Sequence, residues 1–196
     1  DGTEGGTGAA PLEFANHVGM PMVEGLTFVH NTLRGAGIRD QVKLGAAGKV
    51  VSAFDIARAL ALGADWCNSA RGFMFAVGCI QAQACHTNHC PVGVATQDPT
   101  RQRALDVDDK SQRVARFHRN TLMALGEMTG AAGLEHPSDF LPRHMMMRQS
   151  DNSMVQGDQV YGYLPEGYLL DDQSPDYNGN KTRWARAQAD SFVPFD

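Results

Sequence analysis

"QVKLGAAGKVVSAFDIARALALGADWCNSARGF" occupies residues 41–73, and its reading decides the fold. Residues 41–48 read as a short buried strand that runs into a Gly/Ala turn. Ser52 stands where a helix N-cap belongs, and Asp55 completes a capping-box pattern three residues on. The helix continues through "AFDIARALALGA", and "DWCNSA" (65–70) reads as a second short strand. Upstream, "MVEGLTFVHNTLRGAG" (22–37) is predicted to be a helix, with Met22, Leu26, Val29 and Leu33 at helical spacing and Gly35 and Gly37 ending it. Downstream, "RGFMFAVGCIQAQAC" reads as a third helix carrying the first cysteine of a cluster near its end. Helix, strand, helix, strand, helix between residues 22 and 84 implies parallel βαβ organisation. The strands begin about 23 residues apart, a compact repeat that suits a (β/α)8 barrel better than a Rossmann sheet. The chain supplies only a few strands, so the expected fold class is α/β, and a TIM barrel would be incomplete.

The flanks differ in character. "DGTEGGTGAAP" (1–11) is read as a loop, because its glycines oppose a regular element. "KSQRVARFHRNTLMALGEMTG" (110–130) reads as an amphipathic helix with Val114, Phe117, Thr121, Leu125 and Met128 on one face and Gly130 and Gly133 as its stop. The barrel part is assigned to residues 1–134, and residues 135–196 to an irregular C-terminal extension rich in Asp, Asn, Gln, Gly and Pro. The three methionines of "RHMMMRQSD" read as gap-filling packing rather than a metal site.

A length of 196 residues suits one domain with a sizeable core. The formal charge of −5 argues against a nucleic-acid partner, which requires a basic excess. "GFMFAVGCI" is too short to span a bilayer, and no signal peptide is visible. The chain begins at Asp1 within a glycine-rich loop, which is expected of a piece of a longer protein; the missing targeting or membrane segment then says nothing about the parent. Three of the four cysteines crowd into "GCIQAQACHTNHCPVG" (78–93), a distribution that favours a metal or cluster site in a reducing, cytoplasmic compartment over a pair of disulfides.

Cys79, Cys85 and Cys90 are spaced C-x5-C-x4-C, wider than the C-x2-C knuckle of most zinc sites. That spacing suits an iron–sulfur cluster, whose thiolates spread around its edges, and Pro91 follows the last cysteine as in many cluster loops. Three cysteines suit a three-iron cluster; a four-iron cluster needs a fourth ligand, for which Cys67, His86 and His89 are candidates. The bland alternative is three buried free thiols. "AAGKVVS" and "NSARGF" follow the two strands, and each puts small residues where N–H groups at a helix start can meet an anion. Turns after the last two strands of a barrel often share one phosphate, and Lys49 and Arg71 could add charge; the alternative is two ordinary turns. "EGGTGAA" permits close approach to a planar ligand, a weak signal alone. His17, His30, His118, His136 and His144 are scattered and read as surface or packing residues; no Ser–His–Asp or paired-carboxylate arrangement emerges, and no catalytic residue is assigned.

Taken in order, "GTEGGTGAAP", "VKLGAAGKVVSAFDIARALALGAD" and "CNSARGFMFAVGCIQAQACHTNHCPVGVATQDP" closely resemble the FMN-binding synthase domain of the glutamate synthase family, over about residues 1–130. The resemblance implies the C-terminal half of a (β/α)8 barrel that binds FMN beside a 3Fe-4S cluster. It implies cluster ligation by Cys79, Cys85 and Cys90, with Cys67 a strand cysteine. It implies an FMN phosphate at Ala47, Gly48 and Lys49 and at Ser69, Ala70 and Arg71, with Glu4, Gly5, Gly6 and Thr7 in the loop over the flavin and substrate pocket. The family's large bacterial enzymes carry Asp-Gly-Gly where this chain has Ala47-Gly48-Lys49, and a Gly-Thr pair where it has Ala70-Arg71. In these respects the chain looks more like stand-alone glutamate-synthase-like proteins that lack a fused amidotransferase domain. A lysine at position 49 is tolerable only with negative φ there, in which case its ammonium could pair with phosphate.

The activity implied is reductive amination of 2-oxoglutarate by ammonia to glutamate, with electrons passing from a donor (ferredoxin or a reductase subunit) through the cluster to FMN. Amine transfer of the methylamine–glutamate type keeps the cofactors and changes the reaction. A non-catalytic electron-transfer or metal-binding module predicts metal without flavin. Lacking the first barrel strands, the piece alone is expected to be poorly stable and inactive.

Overall fold

The computed structural model describes residues 11–191. The first elements are α1 (Leu12–His17), α2 (Met22–Gly35), β1 (Gly45–Ala47), α3 (Ala53–Ala61), β2 (Trp66–Asn68) and α4 (Ala70–Val77). Then come α5 (Pro99–Gln102), the long α6 (Val107–Ala131), β3 (Met146–Arg148), β4 (Met154–Gln156), α7 (Gly157–Tyr161) and α8 (Asn180–Arg186). β1 and β2 pair in parallel with Gly45 opposite Trp66 and Ala47 opposite Asn68, so α2-β1-α3-β2-α4 is the α/β pattern read from the sequence. β3 and β4 form a separate antiparallel pair. Among the described residues these two-stranded sheets are the whole of the β-structure, which is too little to close a barrel. No helix of the described residues is long and apolar enough to cross a membrane.

Several boundaries depart from the sequence reading. The first strand is confined to three residues, because Arg39–Gln41 turn as a 3-10 helix before it. The third helix stops at Val77, where Gly78 takes a left-handed conformation (φ +116°) that ends the hydrogen-bond ladder, so Cys79 lies beyond the helix rather than near its end. α6 starts earlier than expected because Asp106 caps it, its side chain accepting from the Asp109 N–H, and it runs through Gly130 to Ala131. The C-terminal segment holds short regular elements, and the Met-Met-Met run contributes to strand β3.

α3 is the pivot of the core. Ala53, Ala57 and Ala61 recur every fourth residue and let α3 sit close against α6, where Leu125 and Phe140 complete one buried cluster. Ala59 and Leu62, with Ala46 of β1 and Val23 and Leu26 of α2, form the other. α2 buries a stripe different from the one expected: Val23, Leu26, Thr27, Asn31 and Gly35 face inward, while Val29 is exposed. Thr27 can be buried because its hydroxyl donates to the Val23 carbonyl at 2.8 Å.

Asn31 explains the rest of that stripe. Its side-chain amide donates to the Gly162 carbonyl (3.4 Å), and its side-chain oxygen accepts the Leu164 N–H (3.0 Å). Tyr163 donates its hydroxyl to the Leu62 carbonyl at 3.1 Å. Leu164 and Leu169 are buried beneath this clip, and Leu169 fits only because position 35 is glycine: a Cβ there would lie 2.6 Å from Leu169 Cγ. The C-terminal segment is thereby fastened to α2.

At the opposite end of the strands, Arg39 and Asp65 join the two strand entries. The Arg39 guanidinium pairs with Asp65 at 2.9 Å and donates to the Gly63 and Val42 carbonyls, both at 2.7 Å. Asp65 also accepts the Leu44 N–H at 2.7 Å and meets Lys43 at 3.2 Å. Burial would raise the Asp65 carboxyl, but the Leu44 N–H, Lys43 and Arg39 outweigh it and hold it below its ordinary range.

Replacing Asn31 with Ala is expected to destabilise the protein by about 1–3 kcal/mol, since the buried Leu164 N–H loses its acceptor. Denaturant melts check it, with Gln112→Ala on exposed α6 as the neutral control. Asp65 gives a pH signature. A carboxylate depressed by folding contributes stability that is present above its unfolded pKa and is lost as pH falls through the folded value. Asp65→Asn should therefore cost most at neutral pH, and the gap to the parent should narrow below about pH 4 in unfolding curves taken across that range. A gap constant with pH would assign the loss to packing.

Candidate functional site

The parallel register puts the ends of β1 and β2 level, so the turns that follow lie side by side. Ser69 links them: its hydroxyl donates to the Val50 carbonyl at 2.7 Å. That bond takes the hydroxyl away from helix capping, and the first turn of α4 has no side-chain cap from Ser69. α3 is different. Ser52 accepts the Asp55 N–H, and the Asp55 carboxylate accepts from the Ser52 N–H (2.8 Å) and the Val51 N–H (3.1 Å). Burial would raise the Asp55 carboxyl, yet the Ser52 N–H and hydroxyl and the Val51 N–H hold it low. The start of α3 is thus already served by a carboxylate. What remains for an external anion is the 47–49 turn and the uncapped start of α4.

Of the residues assigned to a phosphate, Ala47, Lys49 and Ala70 are exposed, and Gly48, Ser69 and Arg71 are half-buried. Lys49 departs from the condition set for it: its φ is +46°, in the left-handed region. That backbone is the one a glycine would take at this position, and it costs a lysine roughly 1–2 kcal/mol. The expectation of negative φ at Lys49 is not met. Glu4, Gly5, Gly6 and Thr7 lie outside the described residues.

The cysteine run forms an irregular loop from Gly78 to Asp98. Cys79, Cys85, Cys90 and Cys67 are all free thiols. Gln81, Gln83 and Asn88 all have positive φ, a concentration of unfavourable backbone within one short loop. The Cys79 sulfur accepts the Gln81 N–H at 3.4 Å. Cys90 is buried, which would raise its thiol, but N–H groups of Ala95, Val92, Val94 and Gly93 aim at its sulfur and bring it below the ordinary value. Gly93 is required for that fold: its φ is +75°, and a Cβ would lie 2.4 Å from the Arg101 carbonyl oxygen. Asn88 closes the loop, its side-chain oxygen accepting from the Gln97 N–H (2.6 Å) and the Thr96 hydroxyl (2.9 Å). Sequence reading missed both Asn88 and Asn31; an asparagine carries no periodic signal, and only the tendency of Asn toward left-handed turns pointed to Asn88.

Among the described residues no three His, Cys, Asp or Glu side chains gather into a group that could hold a single metal ion. The donor set still has the chemistry of cluster ligation: three thiols on one loop, with backbone N–H bonds to the Cys79 sulfur and, favouring thiolate, to the Cys90 sulfur. Cys67 is apart, half-buried on β2, its thiol pushed up by burial and by Asp55.

The sequence belongs to a known family. The conserved region of glutamate synthase matches residues 1–135, and the chain is a member of the glutamate synthase family. It is 46% identical over 160 residues to the glutamate synthase large subunit-like protein YerD of Bacillus subtilis, covering 82% of this chain and 30% of that protein. It is 37% identical over 134 residues to an archaeal glutamate synthase (NADPH) of Methanocaldococcus jannaschii, covering 68% of this chain and 26% of that protein. A ferredoxin-dependent glutamate synthase of Arabidopsis thaliana is 46% identical over 170 residues, covering 86% of this chain and 10% of that protein. The chain therefore spans a third or less of the length of these relatives.

Two substitutions test the turns. Ser69→Ala should cost about 0.5–1.5 kcal/mol, one net hydrogen bond, in equilibrium unfolding. Lys49→Gly should gain up to about 1 kcal/mol, as relief of the left-handed strain exceeds the added chain entropy. A loss on Lys49→Gly would mean that the lysine side chain holds the turn by a contact of its own.

Proposed function

We propose that this chain is the C-terminal part of a (β/α)8 synthase barrel, residues 1–134, extended by residues 135–196, in a flavin- and iron–sulfur-dependent oxidoreductase that makes glutamate from 2-oxoglutarate and ammonia. The observation that carries this reading is the pair of adjacent strand-end turns, bridged by Ser69, with the three-cysteine loop emerging directly from α4.

In this reading Ala47, Gly48 and Lys49 and the Ser69, Ala70 and Arg71 turn hold the FMN phosphate, and Glu4, Gly5, Gly6 and Thr7 lie over the flavin and substrate. Arg71 brings charge to the uncapped start of α4. Lys49, exposed at the turn, contributes positive potential. Cys79, Cys85 and Cys90 hold a 3Fe-4S cluster. The N–H groups around the Cys90 sulfur stabilise thiolate and favour the reduced state of whatever it ligates. When bound, FMN supplies the hydride that reduces the imine of 2-oxoglutarate and ammonia, and the cluster relays electrons from a donor such as ferredoxin or a reductase subunit. The Asp55 carboxylate keeps the start of α3 rigid beside the phosphate turn and fills the donors that would compete for it.

Amine transfer with the same cofactors is the second reading. Turnover of the full-length protein with methylamine and glutamate, against 2-oxoglutarate and ammonia, separates the two.

Anaerobic purification of the full-length protein, followed by an absorption spectrum with iron and sulfide assay, tests the cofactor assignment. The expected result is flavin absorbance with about three irons per chain, iron lost on Cys79→Ser, Cys85→Ser or Cys90→Ser and flavin released on the Lys49→Gln/Arg71→Gln double change. Metal with no flavin would instead make the protein an electron-transfer module; zinc alone, or no metal, would make the cysteine loop structural.

A further inference from the structure

A second cavity lies at the end of the strands opposite the turns, outside the site described above. It has a volume of about 650 Å³, within the range of small-molecule sites. One wall is the C-terminal ends of α2 and α3; the other is the C-terminal segment, from Ser138 to Pro165. Its apolar lining includes Leu60, Phe140 and Leu164.

The charged groups are unevenly used. Arg34, Arg39, Arg143, Asp65 and Asp158 all line the cavity, an excess of one positive charge in a chain of net charge −5. Arg39 is committed: four of its N–H bonds go to Asp65, the Gly63 and Val42 carbonyls and His30 Nδ1. Because His30 accepts from Arg39 at Nδ1, it faces the cavity as a neutral ring, held there by burial first and the guanidinium second. Asp65 is answered by Arg39 and Lys43. Arg34 and Arg143 have no carboxylate partner among the described residues. Both are exposed; Arg34 belongs to the α2 wall and Arg143 to the C-terminal-segment wall, with Leu60, Phe140 and Leu164 supplying apolar surface between them.

We propose that this cavity is a binding site for a small dicarboxylate, one carboxylate taken by Arg34 and the other by Arg143, with the carbon chain on the apolar surface between them. A guanidinium binds a carboxylate with two parallel N–H bonds, and two such forks on separate walls select an anion at each end of a short body. A ligand held this way bridges α2 to the C-terminal segment and adds to the Asn31 clip, so its binding tightens residues 138–165 onto the barrel helices. The site lies apart from the strand-end turns and does not depend on the flavin assignment.

The test uses the full-length protein with succinate as probe, sodium chloride at matched ionic strength and inorganic phosphate as comparisons, and hydrogen exchange as the local readout. Succinate should slow exchange across residues 138–165 and raise the melting temperature, while sodium chloride and phosphate do so far less. Arg34→Gln/Arg143→Gln should weaken succinate at least about tenfold, one charge-assisted contact or more. The double variant should melt like the parent without succinate, since neither side chain has an internal partner to lose. Arg71→Gln, at the strand-end turn, should keep the protection. Protection of residues 138–165 that survives the double variant, that sodium chloride reproduces, or that Arg71→Gln abolishes would overturn the assignment. So would its absence at millimolar succinate.

Discussion

Parallel pairing of two three-residue strands is the constraint on which the rest of this chain depends. Parallel neighbours cannot be joined by a hairpin, so a crossover must carry the chain back, and here α3 is that crossover. The pairing makes both strands end on the same side, and their following turns become neighbours although some twenty residues of crossover separate them. Ser69 then fixes the spacing of those turns through the Val50 carbonyl. The same register brings the two strand entries together at the other end, where the half-buried Asp65 side chain gathers donors from Arg39, Lys43 and Leu44.

Those two ends are built with opposite logic. At the entries nearly every donor and acceptor is matched: Asp65 has three partners, and Arg39 uses most of its fork. At the exits groups are left unmatched or strained. The start of α4 lacks a side-chain cap, Lys49 sits in left-handed backbone, and the cysteine loop holds three more such residues. Strain of this kind persists only where surrounding structure enforces it, and in parallel α/β folds the C-terminal ends of strands are where sites form. Membership of the glutamate synthase family gives those unmatched groups a chemical context.

Much of this was legible in the sequence, for identifiable reasons. The Ser52–Asp55 capping box is local chemistry that needs no tertiary partner, and it forms as read. The α6 face around Leu125 follows because a long amphipathic helix has one stable way to lie on a core. The α2 face was misread because Thr27 and Asn31 are polar; their burial depends on a backbone carbonyl and on a segment more than 130 residues away, and periodicity sees neither. The end of α4 was overrun because Gly78 sits inside an apolar stretch, and composition does not reveal that it is left-handed. The N–H cradle of Cys90 was not legible, because backbone donors have no signature in side-chain identity.

Lys49 shows how an exception can be informative. A non-glycine residue at φ +46° sacrifices roughly 1–2 kcal/mol, so the turn's path is set by its neighbours rather than by the lysine. Those neighbours are the end of β1 on one side and Val50, buried and tied to Ser69, on the other. The path is therefore imposed by the strand pairing itself. What the lysine adds in return is positive charge at the mouth of the turns, in a chain whose net charge is negative. A field of that sign draws anions toward the exits of the strands.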